Sequence, residues 1–162
     1  MMRLVGVMIL AGAAQLALLA SPAMASDEDV VRAFYTELLS APLADDLDAR
    51  VETILVEDWV SVPTPRGGPG AAGMVETLRF FGSIIPDLNW EIQEILQDGD
   101  RYVVRSIATG TPVKTFFGVE PKAGFKIMTI DIHTVKDGKI VQSYHVEEWA
   151  KAIQQVAGGK NH

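Results

Sequence analysis

Glu148 ends a run of alternating residues and stands beside Trp149. A carboxyl group there can do proton-transfer chemistry if it faces an apolar interior. Burial disfavours the charged form and raises the pKa toward the neutral range. Its direction depends on the register of residues 126–148, which read as two strands around Asp137-Gly138. That dipeptide reverses a chain because Gly tolerates positive φ. A type I turn at Lys136-Asp137 with Gly138 in the left-handed bulge position pairs Thr134 with Ile140. One face then carries Met128, Ile130, Ile132, Ile140, Tyr144, Val146 and Glu148, and the other Asp131, His133, Ser143, His145 and Glu147. A two-residue turn shifts the pairing by one and mixes polar with apolar residues on both faces. The clean partition favours the bulged hairpin, with the apolar face inward.

On that register Glu148 is an acid at the end of an apolar stripe. The alternative is a strand-end carboxylate that caps the following helix or pairs with Lys151. Tyr144 is expected in the core, with its hydroxyl in reach of a ligand carbonyl. Trp59, Phe81, Trp90, Met128 and Ile130 fit the hydrophobic wall of a pocket, and equally an ordinary core. Ser106 and Ala108 share a face with Val104, where small side chains leave room in a cone or equally admit a helix. Asp131, His133 and His145 have metal-ligand types, but the favoured register puts them on the outer face with no closed four-ligand pattern. No metal is expected. The chain lacks Cys, G-x-S-x-G and a phosphate-binding Gly loop, so nucleophile triads and nucleotide sites find no support.

The elements that position these residues follow from periodicity. Ser26 with Asp27, Glu28 and Asp29 reads as a helix start, and Val30, Val31, Phe34 and Leu38 continue it. Leu47, Val51, Ile54 and Leu55 mark a second helix. Met74, Leu78, Phe81 and Ile85 mark a third, stopped by Pro86-Asp87. From Trp90 the period is two: Trp90–Leu96, Tyr102–Thr109, then the hairpin 126–148 and a short helix over Ala150–Val156. Helices first and a meander afterwards predict an α+β domain, with helices on one face of a curved antiparallel sheet.

Residues 1–25 read as a secretory signal peptide: Arg3, an apolar run from Leu4 to Ala20, then Ala23-Met24-Ala25. A membrane span needs about 20 apolar residues with anchoring flanks, which this run lacks. A domain over 26–156 and a flexible tail over 157–162 follow, in a periplasmic or secreted protein with no membrane association after cleavage. The 162-residue chain carries a formal net charge of −7, and loss of Arg3 makes the domain more acidic still. An acidic domain without a basic cluster is a poor nucleic-acid binder.

The chain resembles the SnoaL-like polyketide cyclase or ester cyclase group of the nuclear-transport-factor-2-like superfamily. The resemblance spans roughly Phe34 to Val156. It is carried by Gly73-Met74, Ile85-Pro86-Asp87-Leu88, Asp98-Gly99-Asp100, Gly110-Thr111 and Phe117-Gly118-Val119. The hairpin adds Ile130-Asp131-Ile132-His133, Asp137-Gly138-Lys139-Ile140-Val141 and Tyr144-His145-Val146-Glu147-Glu148-Trp149. It implies a cone-shaped fold with a pocket between sheet and helices, no metal and no organic cofactor. It also implies intramolecular aldol chemistry by an acid on the last strand. That acid is usually Asp and maps to Glu148; the family's Gly-Thr-His is Gly110-Thr111-Pro112 here. The expected function is binding of a small apolar or weakly polar molecule in the cone, with cyclase or isomerase chemistry by Glu148. The alternatives are a non-catalytic periplasmic binder and a dimeric assembly module. The resemblance and the row Val141, Ser143, His145 suggest a homodimer through the convex sheet face, with Arg105 and Asp131 contributing charge.

Overall fold

A computed structural model describes residues 26–159. The leader expected over 1–25 and the end of the tail, 160–162, lie outside the described residues. Helix α1 (Asp27–Ala33) begins at Ser26 as its acidic first turn predicts. Ser26 Oγ accepts from the Asp29 backbone N–H at 3.1 Å, and the Asp29 carboxylate accepts from the Ser26 N–H at 2.9 Å. The helix runs on as a wide π-helical turn, Phe34–Leu39, that buries Phe34, Tyr35 and Leu38. π-Turns are rare and often sit at functional sites. Helix α2 (Leu47–Ile54) passes directly into β1 (Leu55–Val62), and α3 (Gly70–Ile84) follows. Strands β2 (Asn89–Asp98), β3 (Arg101–Gly110), β4 (Phe125–Lys136) and β5 (Lys139–Glu147) form the meander, closed by α4 (Trp149–Val156). Gly158 and Gly159 bond back to carbonyls of α4.

The five strands make one curved, unclosed sheet in the order β1-β5-β4-β3-β2. The α+β cone is as expected, but the sheet is mixed, because β1 runs parallel to β5. Sequence periodicity misses β1. Its register breaks between Leu55 and Val60, where Glu57 and Asp58 interrupt the alternation on a sheet edge. With no cysteine, the core of Val31, Leu38, Leu47, Val51, Ile85, Ile127, Ile140 and their neighbours holds the fold alone.

The hairpin differs from expectation in two ways. Asp137 and Gly138 both have positive φ, 52° and 72°, which makes the turn a two-residue type I′. Val135 therefore pairs with Ile140, and the bulge falls later, at Val141, so that Thr134 pairs with Gln142. The extra residue restores the expected grouping of residues 142–147, but Ile140 joins the other face.

The second difference is which face is inside. Phe125, Ile127, Thr129, Asp131, His133 and Val135 are buried, whereas Met128 and Ile130 are about two-fifths exposed. Strand β3 decides this. Its register sets Arg105 opposite Ile130 and Val104 opposite Asp131. Turning the Met128–Ile130 face inward would bury Arg105 and Arg101 and expose Tyr102, Val104 and Ala108. Arg105 pairs with Glu94 across β2–β3 at 3.3 Å, and taking even paired charges out of water costs several kcal/mol per ion, above the ~1.5–3 kcal/mol gained per apolar side chain buried. The polar row of the hairpin thus faces the helices.

Candidate functional site

The inner face of the β4–β5 hairpin sets Asp131 opposite His145, His133 opposite Ser143 and Thr129 opposite Glu147. Polar side chains in such a place need partners, and the π-turn after α1 and strand β1 supply them. The Tyr35 hydroxyl, at the π-turn, lies 2.8 Å from Asp131 Oδ2 and 2.9 Å from His133 Nε2. His133 Nδ1 lies 2.8 Å from Ser143 Oγ, which accepts from Trp59 Nε1–H at 3.1 Å.

The donor inventory orients this chain. Burial, reinforced by the charge on His145, holds His133 neutral with its pKa pushed down to about 3. A neutral imidazole carries one N–H. When Asp131 is ionised, Tyr35 donates to it and accepts from His133 Nε2–H. His133 Nδ1 then accepts from Ser143, which accepts from Trp59. Each hydroxyl and the imidazole donates once and accepts once, and the chain ends on the Asp131 carboxylate.

Asp131 is 4 % exposed. Burial pushes its pKa up to about 7; the Tyr35 hydrogen bond opposes the rise, Glu147 adds to it and His145 counters it. Burial and the Asp131 charge together push the Tyr35 hydroxyl well above its ordinary value. His145 bonds through Nδ1 to Glu147 Oε1 at 2.7 Å and through Nε2 to the Pro63 carbonyl at 3.0 Å. Burial disfavours the imidazolium, but the Glu147 and Pro63 bonds outweigh it and raise the His145 pKa.

Asp131, Ser143, His145 and Glu147 form one wall of a cavity of about 200 Å³. Phe34, Trp59, Leu78, Phe81, Trp90 and Trp149 make the apolar walls. Trp149 stacks on Phe81 with ring centroids 5.9 Å apart and planes 5° from parallel. The Trp90 indole N–H is buried without a hydrogen-bond partner among the described residues. A mostly apolar cavity with a few convergent polar groups and a perturbed carboxyl is the usual form of a small-molecule site.

Trp59, Phe81 and Trp90 stand in the cavity wall. Met128, Ile130 and Tyr144 do not; they lie on the outer face, each about 40 % exposed. Glu148 lies outside the cavity as well. Its Oε2 accepts from the Met128 backbone N–H at 2.9 Å and from Lys151 Nζ at 3.1 Å. The Met128 bond first, then Lys151, lower its pKa. This is the ion-paired strand-end reading weighed for Glu148, and the opposite of a raised interior acid. Tyr35, Asp131, Ser143, His145 and Glu147 were not chosen from the sequence as site residues. The signal was present: five polar residues share one face of the hairpin, on the same side as β3 Val104 and Ala108.

The sequence model of SnoaL-like polyketide cyclases matches residues 29–156. No curated protein matches the chain. Among solved structures, a candidate polyketide cyclase from Bacillus cereus is 24 % identical, with a TM-score of 0.66 over 82 % of this chain and 80 % of that one. IdmH, a candidate polyketide cyclase from Streptomyces antibioticus, is 22 % identical, with a TM-score of 0.68 over 81 % and 98 %. A SnoaL-like polyketide cyclase from Agrobacterium tumefaciens is 19 % identical, with a TM-score of 0.65 over 82 % and 98 %. At these identities the structures share the fold. The sequence match, which covers most of the chain, goes further: this protein belongs to the SnoaL-like polyketide cyclase family.

Proposed function

We propose that the protein binds a small, largely apolar carbonyl compound in the cone and moves a proton on it without a cofactor, in cyclase or isomerase chemistry, with Asp131 as the acid–base group. The observation that carries this is a buried carboxylate in the wall of an aromatic cavity, held by one hydroxyl. Tyr35 bonds Oδ2 of Asp131, so Oδ1 is the oxygen that meets a ligand. The ionised form takes a proton from the carbon next to the carbonyl, and the protonated form returns it to another position or to the new alkoxide. The carboxyl's midpoint near neutral pH keeps both forms populated.

The test uses 1-indanone as a probe in deuterium oxide, with exchange of its α-hydrogens followed by NMR. Wild type exchanges them; Asp131→Asn loses about 10²-fold or more in rate while affinity stays similar. Binding without exchange in wild type supports a non-catalytic binder instead. Neither binding nor exchange removes the reading for this substrate class.

Two further parts of the reading rest on different observations. Export to the periplasm or beyond rests on the leader pattern in residues 1–25. Among the described residues, no helix is long and apolar enough to cross a membrane. A homodimer rests on the outer sheet face, where Met128, Ile130, Tyr144 and Val146 stand exposed on neighbouring strands. Of the residues expected there, Ser143 and His145 of the row Val141, Ser143, His145, and the charged Asp131, line the cavity, whereas Arg105 shares the outer face with Ile130.

A further inference from the structure

We propose that Asp131, His145 and Glu147 form a three-ligand site for a divalent transition-metal ion, with its open position facing the cavity. One donor atom from each residue lies within 4.8 Å of the others. Modest side-chain rotation brings such a set to the ~3–4 Å spacing of ligands held at ~2.1 Å from one ion. The backbone places them for this. Asp131 and His145 are directly paired across the hairpin, and Glu147 follows two residues on, on the same face.

The outer support is built as well. His145 Nε2–H donates to the Pro63 carbonyl at 3.0 Å. That bond orients the ring and leaves Nδ1 toward Glu147 Oε1, 2.7 Å away. Tyr35 holds one oxygen of Asp131 and leaves the other. Metal-binding histidines and carboxylates depend on such partners. Two carboxylates balance a dication in a poorly solvated place, and an imidazole with two carboxylates suits the cobalt-to-zinc part of the series. His133 is not a member, since both its nitrogens are engaged by Tyr35 and Ser143.

In the metal-free protein, the proton between His145 Nδ1 and Glu147 stands where the ion would bind; it leaves to solvent when the ion enters. An ion on Asp131 also blocks that carboxylate as a base. Cation binding and proton transfer at Asp131 therefore exclude each other. The sequence argument against a metal placed these residues on the outer face, and that premise does not hold.

Cobalt(II) titration of chelator-stripped full chain tests the site without any need for a substrate. Wild type is expected to take up one equivalent with visible d–d bands of a low-coordinate ion, and zinc should displace it. Glu147→Gln and His145→Ala should each weaken binding at least ~10-fold. Glu147→Gln keeps size and shape, so it stands in if His145→Ala fails to fold. No d–d bands in wild type, or an affinity unchanged in either folded variant, overturns the proposal.

Discussion

Replacing Asp131 by Asn tests the electrostatics of the interior by stability alone. In the folded, metal-free protein the Asp131 pKa is about 7, against about 3.9 in an unfolded chain. Between those values the folded state binds the extra proton, so stability is highest below pH ~4 and falls as pH rises through ~7. Each unit is worth about 1.4 kcal/mol, and about 4 kcal/mol is lost across the window. His133 acts in the opposite sense. Its folded pKa is about 3, against about 6.5 when unfolded. The unfolded state therefore takes up its proton first, and stability rises with pH over that range. From about pH 4 to 6.5 the two contributions largely cancel. Asp131→Asn keeps the shape, and its amide oxygen still accepts from Tyr35. It removes only the falling contribution. Urea unfolding at half-unit intervals from pH 4.5 to 8, with chelator present, should show the stability of wild type minus variant dropping by about 1.4 kcal/mol per unit up to pH ~7, then levelling. A difference that is flat with pH, or that rises, would refute the raised pKa and the inward carboxylate behind it.

Glu148→Gln should cost no more than about 1 kcal/mol of stability, as expected for an exposed ion pair, and leave indanone binding and exchange unchanged. A lost exchange rate would return the acid–base role to Glu148. Ser143→Ala removes the link between Trp59 and His133 and leaves a buried indole N–H and an imidazole nitrogen unpaired. Denaturant melts should show a loss of about 2–4 kcal/mol, and a loss under 1 would contradict the hydrogen-bond chain. Ile130→Asp puts a charge in the outer apolar face and should shift sedimentation from dimer to monomer; an unchanged dimer would put the interface elsewhere. Intact mass of exported protein should correspond to a chain starting at Ser26, and a retained N-terminus would contradict the leader.

Much of the architecture was legible because local rules dictate it. The Ser26 start, the Pro86 stop, the helix pattern of Met74, Leu78 and Phe81 and the Asp137-Gly138 reversal each rest on a few neighbouring residues. The aromatic wall of Trp59, Phe81 and Trp90 was also named, since large apolar side chains seek the interior wherever the fold puts it. Strand β1 was not legible. Its partner β5 lies about eighty residues on, and its own alternation is broken at Glu57 and Asp58.

The inner face of the hairpin was decided only by tertiary structure. Alternation separates two sets of residues but carries no sign. Read alone, residues 126–148 favour an apolar interior of Met128, Ile130 and Tyr144. Pairing with β3 reverses that, because Arg105 shares a face with Ile130 and charge stays in water. The polar set then becomes tenable inside only because Tyr35 and Trp59, distant in sequence, arrive with the hydroxyl and N–H it needs. Local sequence determined which residues stand together on each face. Long-range packing determined that Asp131, His145 and Glu147 face the cavity and that Glu148, one residue further on, does not.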